Sequence, residues 1–254
     1  MKRIIRTLTS STSSYVNLAL IGKPGSGKGT YGKLLATRLG CHLVVVGDVL
    51  RAHVKDGSAL GQQIDSYQRQ GKLVDDEIVA QILISHLKYI FAEKTRQESK
   101  FGFILDGFPR TVKQAKMIDN IFENNGIDWP HQFQLNHVVD IDVPDWICID
   151  KILGRRNCSV CHSAFNISDV NKPPFRMPPQ LPDPYPCTKC DMKSSWEKRI
   201  DDDENIVVQR LKEFREKSKP VSKYFQESGR LLTFVPYNGI DDMHILEKIV
   251  IDRS

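Results

Sequence analysis

Short apolar runs alternate along the chain with longer segments in which apolar residues recur at helical spacing. Five runs rich in Val, Ile, Leu and Phe predict strands, and these are Tyr15–Ile21, His42–Val46, Phe101–Asp106, His137–Val143 and Leu231–Val235. Six segments predict helices, and these are Gly29–Leu39, Asp75–Phe91, Thr111–Asn124, Asp145–Leu153, Glu204–Phe214 and Asp241–Ile251. Strands that alternate with helices predict a parallel sheet covered on both faces, with ligands beyond the carboxyl ends of the strands.

Two segments interrupt this alternation. Residues 47–74 predict short helices that extend from the second strand, whereas residues 155–199 are rich in proline and hold four cysteines. Because proline is excluded from helix interiors and central strands, the second segment predicts a small inserted subdomain. We therefore expect a core formed by residues 15–46, 75–154 and 200–254, with two insertions.

Composition narrows the class of protein. The 254 residues are 40% hydrophobic, enough for one α/β core, and no apolar run approaches the ~20 residues of a membrane span. The net charge is +5, but residues 1–47 hold seven Lys or Arg and no acidic residue, so the remainder is slightly acidic. Charge therefore requires no nucleic-acid partner, and we expect a monomer without a membrane span.

Residues 1–14 are basic, rich in Ser and Thr, and free of acidic residues. This composition is typical of a transit peptide for the mitochondrion or another organelle. The alternative is a short disordered tail on a cytoplasmic protein. The segment is too polar for a secretory signal.

The segment Gly22–Thr30, with the sequence GKPGSGKGT, carries the most specific chemistry in the chain. It follows a predicted strand and opens a predicted helix, as a phosphate-binding loop of pattern G-x-x-x-x-G-K-[ST] requires. Its backbone N–H groups and the helix N-terminus can hold phosphate oxygens, and Lys28 can reach the terminal phosphates. Gly29 stands where Ser or Thr is usual, and Thr30 follows with a hydroxyl for phosphate or Mg²⁺. The alternative is a glycine-rich turn that binds nothing, which disagrees with the flanking strand and helix.

The third predicted strand ends in Asp106 and is followed by a Gly-Phe-Pro turn and Arg110. Beside a phosphate-binding loop, Asp106 is well placed to hold Mg²⁺ or its water ligands. The guanidinium group of Arg110 suits a phosphate in the crevice. Alone the signal is weak, because many strands end in Asp and many turns carry a surface arginine.

Further blocks accompany these two motifs in order along the chain. They are Gly47–Arg51, Gly71–Val74, Asp106–Arg110 with Gln114, Asp142–Pro144, Gly154–Arg156, and Arg199 and Arg210 around Asp201–Asp203. Over residues 15–251 the chain closely resembles the adenylate kinase family of nucleoside monophosphate kinases. The resemblance implies an α/β fold: a three-layer P-loop kinase core with a parallel sheet, a monophosphate-binding arm at residues 47–74 and a lid at residues 155–199. It also implies a reversible, Mg²⁺-dependent transfer from ATP to AMP that gives two ADP.

The resemblance implies a role for each matching residue. The catalytic residues would be Lys28, Asp106, Arg110, Arg155, Arg199 and Arg210. The ATP-binding residues would be Gly25, Ser26, Gly27, Lys28, Gly29, Thr30, Lys151, Arg155 and Asn238. The AMP-binding residues would be Val46, Gly47, Arg51, Lys72, Leu73, Val74, Gly107, Arg110, Gln114, Arg199 and Arg210. Phosphoryl transfer needs positioning and neutralisation of spreading charge, which cations from separate elements supply when arm and lid close.

Gln114 bears on the acceptor base. A carboxamide can accept from the amino group of adenine and donate to a ring nitrogen. Pyrimidine monophosphate kinases of similar design usually have a different residue at this position, so Gln114 favours AMP. The alternative is a polar helix residue that faces water.

Four of the six cysteines form two C-x-x-C pairs, Cys158 with Cys161 and Cys187 with Cys190. Two such pairs predict a structural zinc site, because four thiolates complete a tetrahedron and leave no open position. The alternatives are two redox pairs, reduced thiols without a metal, or a nucleic-acid-binding zinc ribbon. The last lacks a clustered basic and aromatic face. Cys41 and Cys148 lie among apolar residues and are expected to be buried.

The chain departs from the family pattern at three places. Val46 stands where a hydroxyl residue is usual, and Lys151 stands where an arginine often stacks on the donor base. The gap of 25 residues between the cysteine pairs is longer than usual. The first two departures leave the base preference open, and the third leaves the motion of the lid open.

Three functions compete at this stage. An adenylate kinase that uses ATP comes first, and a GTP:AMP phosphotransferase with the same chemistry comes second. The donor base is expected to be read by backbone near Tyr237–Gly239. A catalytically silent nucleotide-binding scaffold would be expected to lack a phosphate-contacting cation, whereas this chain retains Lys28 and all five arginines.

Overall fold

The computed structural model describes residues 16–70, 72–94, 102–123, 135–161, 163–181, 196–199 and 202–253. Its strands are β1 (Asn17–Gly22), β2 (His42–Val45), β3 (Phe103–Asp106), β4 (His137–Ile141), β5 (Arg155–Cys158), β6 (Ala164–Asn166), β7 (Val170–Lys172), β8 (Phe175–Met177), β9 (Trp196–Glu197) and β10 (Leu231–Phe234). Four parallel pairings join five of these strands into one sheet in the order β10-β4-β1-β3-β2. The five predicted strands are thereby confirmed, although Tyr15 and Phe101 lie outside the described residues.

The helices confirm the predicted alternation. They are α1 (Lys28–Leu39), α2 (Val46–Lys55), α3 (Ala59–Arg69), α4 (Asp76–Lys94), α5 (Val112–Glu123), α6 (Asp145–Leu153), α7 (Glu204–Glu213), α8 (Lys219–Glu227) and α9 (Met243–Ile251). Helices α2 and α3 are the short helices expected in residues 47–74. None of the described helices is long and apolar enough to cross a membrane.

Helix α8 is absent from the sequence prediction. It follows α7 through a π-helical turn at Phe214–Ser218 and carries Pro220 in its first turn. A proline there removes no intrahelical hydrogen bond, since the first N–H groups of a helix have no partner within it. A helix that begins at Lys219 is therefore compatible with Pro220.

The central sheet buries both faces, because successive side chains of a strand point in opposite directions. Ala19 and Ile21 of β1 join one hydrophobic cluster, which includes residues of α2, α3, α4, α5 and α8. Leu18 and Leu20 join another, which includes residues of α1 and α9. The fold is therefore a three-layer α/β sandwich, as predicted.

The described part of residues 155–199 forms two small antiparallel units. Strands β5, β6 and β9 make a three-stranded sheet, and β7 and β8 make a hairpin. Phe175 and Met177 of the hairpin pack with α6 and α7, and the N–H of Arg176 donates to the carbonyl oxygen of Tyr237 at 2.7 Å. This hairpin, within the segment predicted as a lid, is packed on the core in the structure.

Candidate active site

The phosphate-binding loop follows β1 directly and packs against α6. Gly25 and Gly27 have φ angles of 85° and 92°, in the region that favours glycine. A Cβ atom on Gly25 would lie 2.4 Å from the carbonyl oxygen of Cys148, so a larger residue would not fit there. The hydroxyl of Ser26 is buried and has no hydrogen-bond partner among the described residues. The shape of the loop and this polar atom fit an oxyanion held inside the loop.

Lys28 begins α1, and its ammonium group is held at the loop. Its Nζ atom donates to the carbonyl oxygens of Gly22 and Lys23, each at 2.8 Å. Burial lowers the pKa of Lys28 to about 8, although the Asp106 carboxylate opposes this effect. A nucleotide phosphate would replace the two carbonyl oxygens as the partner of this cation.

Asp106 is the last residue of β3 and lies opposite Leu20 of β1 in the sheet register. Its carboxylate is almost fully buried and faces the backbone of Gly29 in the loop. Burial raises the pKa of Asp106, while the charges of Lys28 and Arg110 oppose the shift. A carboxylate at this position can bind a cation or its water ligands beside a phosphate.

Cations from separate elements converge on this end of the sheet. The charges of Arg110 and Arg210 contribute to the low pKa of Lys28, and the charge of Arg51 acts on the pKa of Asp106. Such effects fall with distance, so these five groups share one region. The arrangement suits a polyanion that bridges the loop and the arginines.

Two of the arginines that the resemblance assigns to AMP, Arg51 and Arg110, are held by contacts with residues close to them in the chain. Arg51 on α2 pairs with Asp48 one turn earlier, and a Cβ atom on Gly47 would lie 3.3 Å from its guanidinium nitrogen Nη1. Arg110 donates from Nε to the carbonyl oxygen of Gly107 at 2.8 Å. Both guanidinium groups are therefore held close to the backbone beside the sheet.

The remaining residues assigned to AMP surround the start of α2 and the loop before α4. Val46 and Val74 are buried, whereas Lys72 is exposed. The N–H of Leu73 donates to Oε1 of Glu213 at 3.3 Å, which ties this loop to the end of α7.

Gln114 is buried and hydrogen-bonded, so the alternative of a residue that faces water is wrong. Its backbone N–H donates to Oγ1 of Thr111 at 3.0 Å. Its side-chain oxygen Oε1 accepts from the N–H of Arg110 at 2.7 Å, and its Nε2 atom donates to Oδ1 of Asp76 at 2.8 Å. Thr111 and Gln114 therefore form a variant of the S/T-x-x-E/Q capping box at the start of α5.

Arg155 and Arg199 both contact Asp202, the first through its side chain and the second through its backbone carbonyl group. Asp202 accepts from Nε of Arg155 at 2.9 Å and also from its Nη2 atom. The Asp202 side chain is fully buried, and its N–H donates to the carbonyl oxygen of Arg199 at 3.1 Å. Asp202 thus joins the two ends of the predicted lid. The described contacts attach Arg155 to this carboxylate rather than to the group around Lys28.

The two residues assigned to the donor base are both engaged within the protein. Lys151 donates to the carbonyl oxygens of Met177 at 3.1 Å and Ser168 at 3.4 Å. Burial lowers the pKa of Lys151. Asn238 donates from Nδ2 and from its backbone N–H to the carboxylate of Asp242, at 3.0 Å and 2.7 Å.

The first cysteine pair forms a tight turn around the sulfur of Cys158. The N–H groups of Val160 and Cys161 both donate to the sulfur of Cys158 at 3.4 Å. Cys158 is fully buried. Cys187 and Cys190 lie outside the described residues, and no group of three or more metal-binding side chains occurs within the described part of the chain.

Sequence reasoning missed a second cation at the loop. Lys23 donates to the carbonyl oxygen of Val143 at 2.7 Å, and its Nζ atom lies 3.4 Å from Asp142 and 3.3 Å from Asp145. Burial lowers the pKa of Lys23, but the two carboxylates raise it overall. The lysine fixes the loop against the junction of β4 and α6. Its position inside the motif was visible, but its partners lie about 120 residues away.

The comparisons with known proteins agree on one family. Residues 20–230 match the family model described as adenylate kinase. The chain is 35% identical over 245 residues to adenylate kinase 1, chloroplastic, of Arabidopsis thaliana, which covers 93% of this chain and 78% of the relative. It is 38% identical to an adenylate kinase of Gloeobacter violaceus, over 84% of this chain and 88% of the relative. It is 33% identical to a GTP:AMP phosphotransferase of Plasmodium falciparum, over 93% of this chain and 96% of the relative.

Proposed function

Since the chain belongs to the adenylate kinase family, we propose that it catalyses the reversible transfer of a phosphoryl group from ATP to AMP, giving two ADP. The observation that carries the proposal is the convergence of Lys28, Asp106 and Arg110 beside the phosphate-binding loop. Lys28 begins α1, Asp106 ends β3, and Arg110 lies in the turn between β3 and α5. Their charges suit a triphosphate on one side and a monophosphate on the other.

Separate groups of residues would bind the donor, bind the acceptor and neutralise the transferred phosphoryl group. Lys28 and the N–H groups of the loop would hold the β- and γ-phosphates of the donor, and Arg51 and Arg110 would hold the phosphate of AMP. Arg155, Arg199 and Arg210 would neutralise the group in transit. Because Arg155 is now bound to Asp202, it would have to exchange this carboxylate for phosphate when the lid closes.

We propose Mg²⁺ as the metal that accompanies the nucleotide. The fit rests on the buried Asp106 carboxylate beside Gly29, because Mg²⁺ prefers oxygen ligands and keeps several waters. When bound, the metal would neutralise charge on the phosphates. Asp106 would orient its water ligands.

We also propose a structural zinc held by Cys158, Cys161, Cys187 and Cys190. Two backbone N–H groups already donate to the sulfur of Cys158, which favours a thiolate at that position. The cluster beneath β5 is small, with Cys158 and Phe165 as its buried members in the described residues. A metal would add the stability that so small a cluster does not supply.

The division of the chain follows from these roles. We propose residues 47–74 as the arm that carries AMP and residues 155–199 as the lid, on a core of the remaining segments. The hairpin β7–β8 would move least within the lid, since Phe175 and Met177 pack on the core.

The N-terminal segment suits an organelle. Relatives from Arabidopsis thaliana and Oryza sativa are named chloroplastic adenylate kinases, and residues 1–14 are basic and free of acidic residues. We propose that this segment directs the protein to an organelle. A fluorescent protein fused behind residues 1–14 should enter an organelle, and uniform cytoplasmic fluorescence would contradict the assignment.

ATP and GTP are the two candidate donors. The relative named GTP:AMP phosphotransferase supports the second, while the larger number of relatives named adenylate kinase supports the first. A coupled assay with AMP and either donor distinguishes them through the ratio of the two kcat/KM values. ADP formation with neither donor, despite nucleotide binding, would favour a silent scaffold.

A further inference from the structure

Both polar atoms of the Gln114 carboxamide are hydrogen-bonded. One partner can only donate a hydrogen bond, and the other can only accept one. The N–H of Arg110 can only donate, and it meets Oε1 at 2.7 Å. The Asp76 carboxylate can only accept, and its Oδ1 atom lies 2.8 Å from Nε2. Rotating the amide by 180° would set donor against donor and acceptor against acceptor. The orientation of this amide is therefore determined by its neighbours.

Asp76 is itself held in place. It lies in the first turn of α4, and its second oxygen Oδ2 accepts from the hydroxyl of Thr111 at 3.0 Å. The same Thr111 hydroxyl accepts from the N–H of Gln114. Two helices that are separate in sequence are thus joined through one carboxylate.

An amide held in one orientation presents its remaining donor and acceptor to a base in one fixed order. Beyond the bonds described, Nε2 retains one hydrogen and Oε1 retains one lone pair. Adenine offers an amino donor beside a ring-nitrogen acceptor, which matches an amide acceptor and donor. A 6-oxopurine offers the reverse, a carbonyl acceptor beside an N–H donor. It would match only the amide rotated by 180°.

We propose that Asp76 is a positioning residue that sets the choice of acceptor base by fixing the amide orientation of Gln114. The inference rests on the proposed function, in which AMP is the acceptor and Gln114 contacts its base. Asp76 acts through Gln114 and contacts no reacting atom. Without the Asp76 carboxylate, only the N–H of Arg110 opposes rotation of the amide, so the rotated amide costs less free energy and the site discriminates less against 6-oxopurines.

The test compares AMP with inosine monophosphate, whose base differs from adenine in having a 6-oxo group and an N1–H. In Asp76→Asn the new amide can donate or accept, so Gln114 can rotate at a smaller energetic cost. The ratio of kcat/KM for AMP to that for inosine monophosphate should fall about fivefold or more. Glu77→Gln is the matched control, because it removes the same charge from the next residue and touches Lys113 rather than Gln114. Its ratio should equal that of the parent.

The outcomes separate the two claims. If the parent protein does not phosphorylate AMP, the proposed function fails. If the parent uses AMP but Asp76→Asn keeps the parent ratio, the inference about Asp76 is wrong, whatever happens to the absolute rate. Should Asp76→Asn fail to fold, Asp76→Ser carries the same test, since a hydroxyl also donates or accepts. A merely structural role would lower the rates for both acceptors equally.

Discussion

The carboxylate oxygen Oδ2 of Asp106 lies 3.3 Å from the point that a Cβ atom would occupy at Gly29. This contact explains why Gly29 stands where Ser or Thr is usual in a phosphate-binding loop. A side chain there would crowd the carboxylate that we assign to the metal. The missing hydroxyl is supplied one residue later by Thr30, which is exposed at the start of α1.

Gly29→Ala should lower the activity without lowering the thermal stability. Alanine favours a helix over glycine by about 0.5–1 kcal/mol, so the melting temperature should be equal to or above that of the parent. The added Cβ should displace Asp106, lowering kcat and raising the Mg²⁺ concentration needed for half-maximal rate. Thermal melting and a Mg²⁺ titration of the rate measure both effects. Parent kcat with parent Mg²⁺ dependence would show that the contact has no role.

The low pKa of Lys28 predicts a pH dependence of donor binding. Above pH 8 the ammonium group of the free protein loses its proton, whereas a bound phosphate favours the charged form. The Kd for ATP should therefore rise about tenfold between pH 7 and pH 9, with proton uptake on binding. Calorimetry in two buffers with different ionisation enthalpies measures this uptake. A Kd that is constant across this range would contradict the shift.

The lowered pKa of Lys28 also affects stability. Its contribution to stability increases with pH, whereas the affinity for ATP decreases. Between about pH 8 and the ordinary pKa of 10.5, the unfolded chain retains a proton that the folded protein has lost. The contribution of Lys28 to the free energy of unfolding therefore rises with pH across this window. Comparison of the parent with Lys28→Met by denaturant unfolding at several pH values isolates this contribution.

Gln114→Leu should weaken the use of AMP more than the use of ATP. Loss of a base contact corresponds to about 1–3 kcal/mol, which appears in KM for AMP. Loss of the capping bond to the N–H of Arg110 should also lower stability by about 0.5–2 kcal/mol. Steady-state kinetics with each nucleotide varied, together with melting, separates the two losses. A larger effect on ATP than on AMP, or UMP or GMP as the better acceptor of the parent, would contradict the assignment.

Zinc removal should lower the melting temperature and reduce the rate while ATP still binds the phosphate loop. The reason is that residues 155–199 carry Arg155 and Arg199 at their ends and have few apolar residues to hold them. Mass spectrometry should find one zinc per chain in protein purified without a metal-affinity tag. Cys158→Ser should lose the zinc, and Cys41→Ser, outside the predicted set, should retain it. Metal-free protein that melts unchanged after chelation would refute the site.

The sequence predicted the sheet well because each strand is an apolar run ending at a turn. The sequence was less informative where one residue pattern is compatible with two structural roles. Thr111-x-x-Gln114 fits both a base-reading residue and a capping box, and the structure adds the second role. The predicted helical pattern stops at Phe214, and the structure adds α8 with Pro220 in its first turn.

Polar contacts between residues that are far apart in the chain could not be predicted from the sequence. Arg155 was recognised as a cation for phosphate, but no local signal identifies Asp202, 47 residues later, as its buried partner. The partners of Lys23 and Asp76 were hidden in the same way, since the fold alone brings them together. The packing of β7–β8 on α6 depends equally on tertiary structure.

The most direct test is ADP formation from ATP and AMP by the purified chain beside its Lys28→Ala variant. Lys28 contacts loop carbonyl oxygens, so the variant should keep the parent circular dichroism spectrum. The account predicts AMP-dependent turnover for the parent and a loss of at least about a hundredfold for Lys28→Ala. A folded variant with near-parent turnover, or a parent without AMP-dependent turnover, would contradict it.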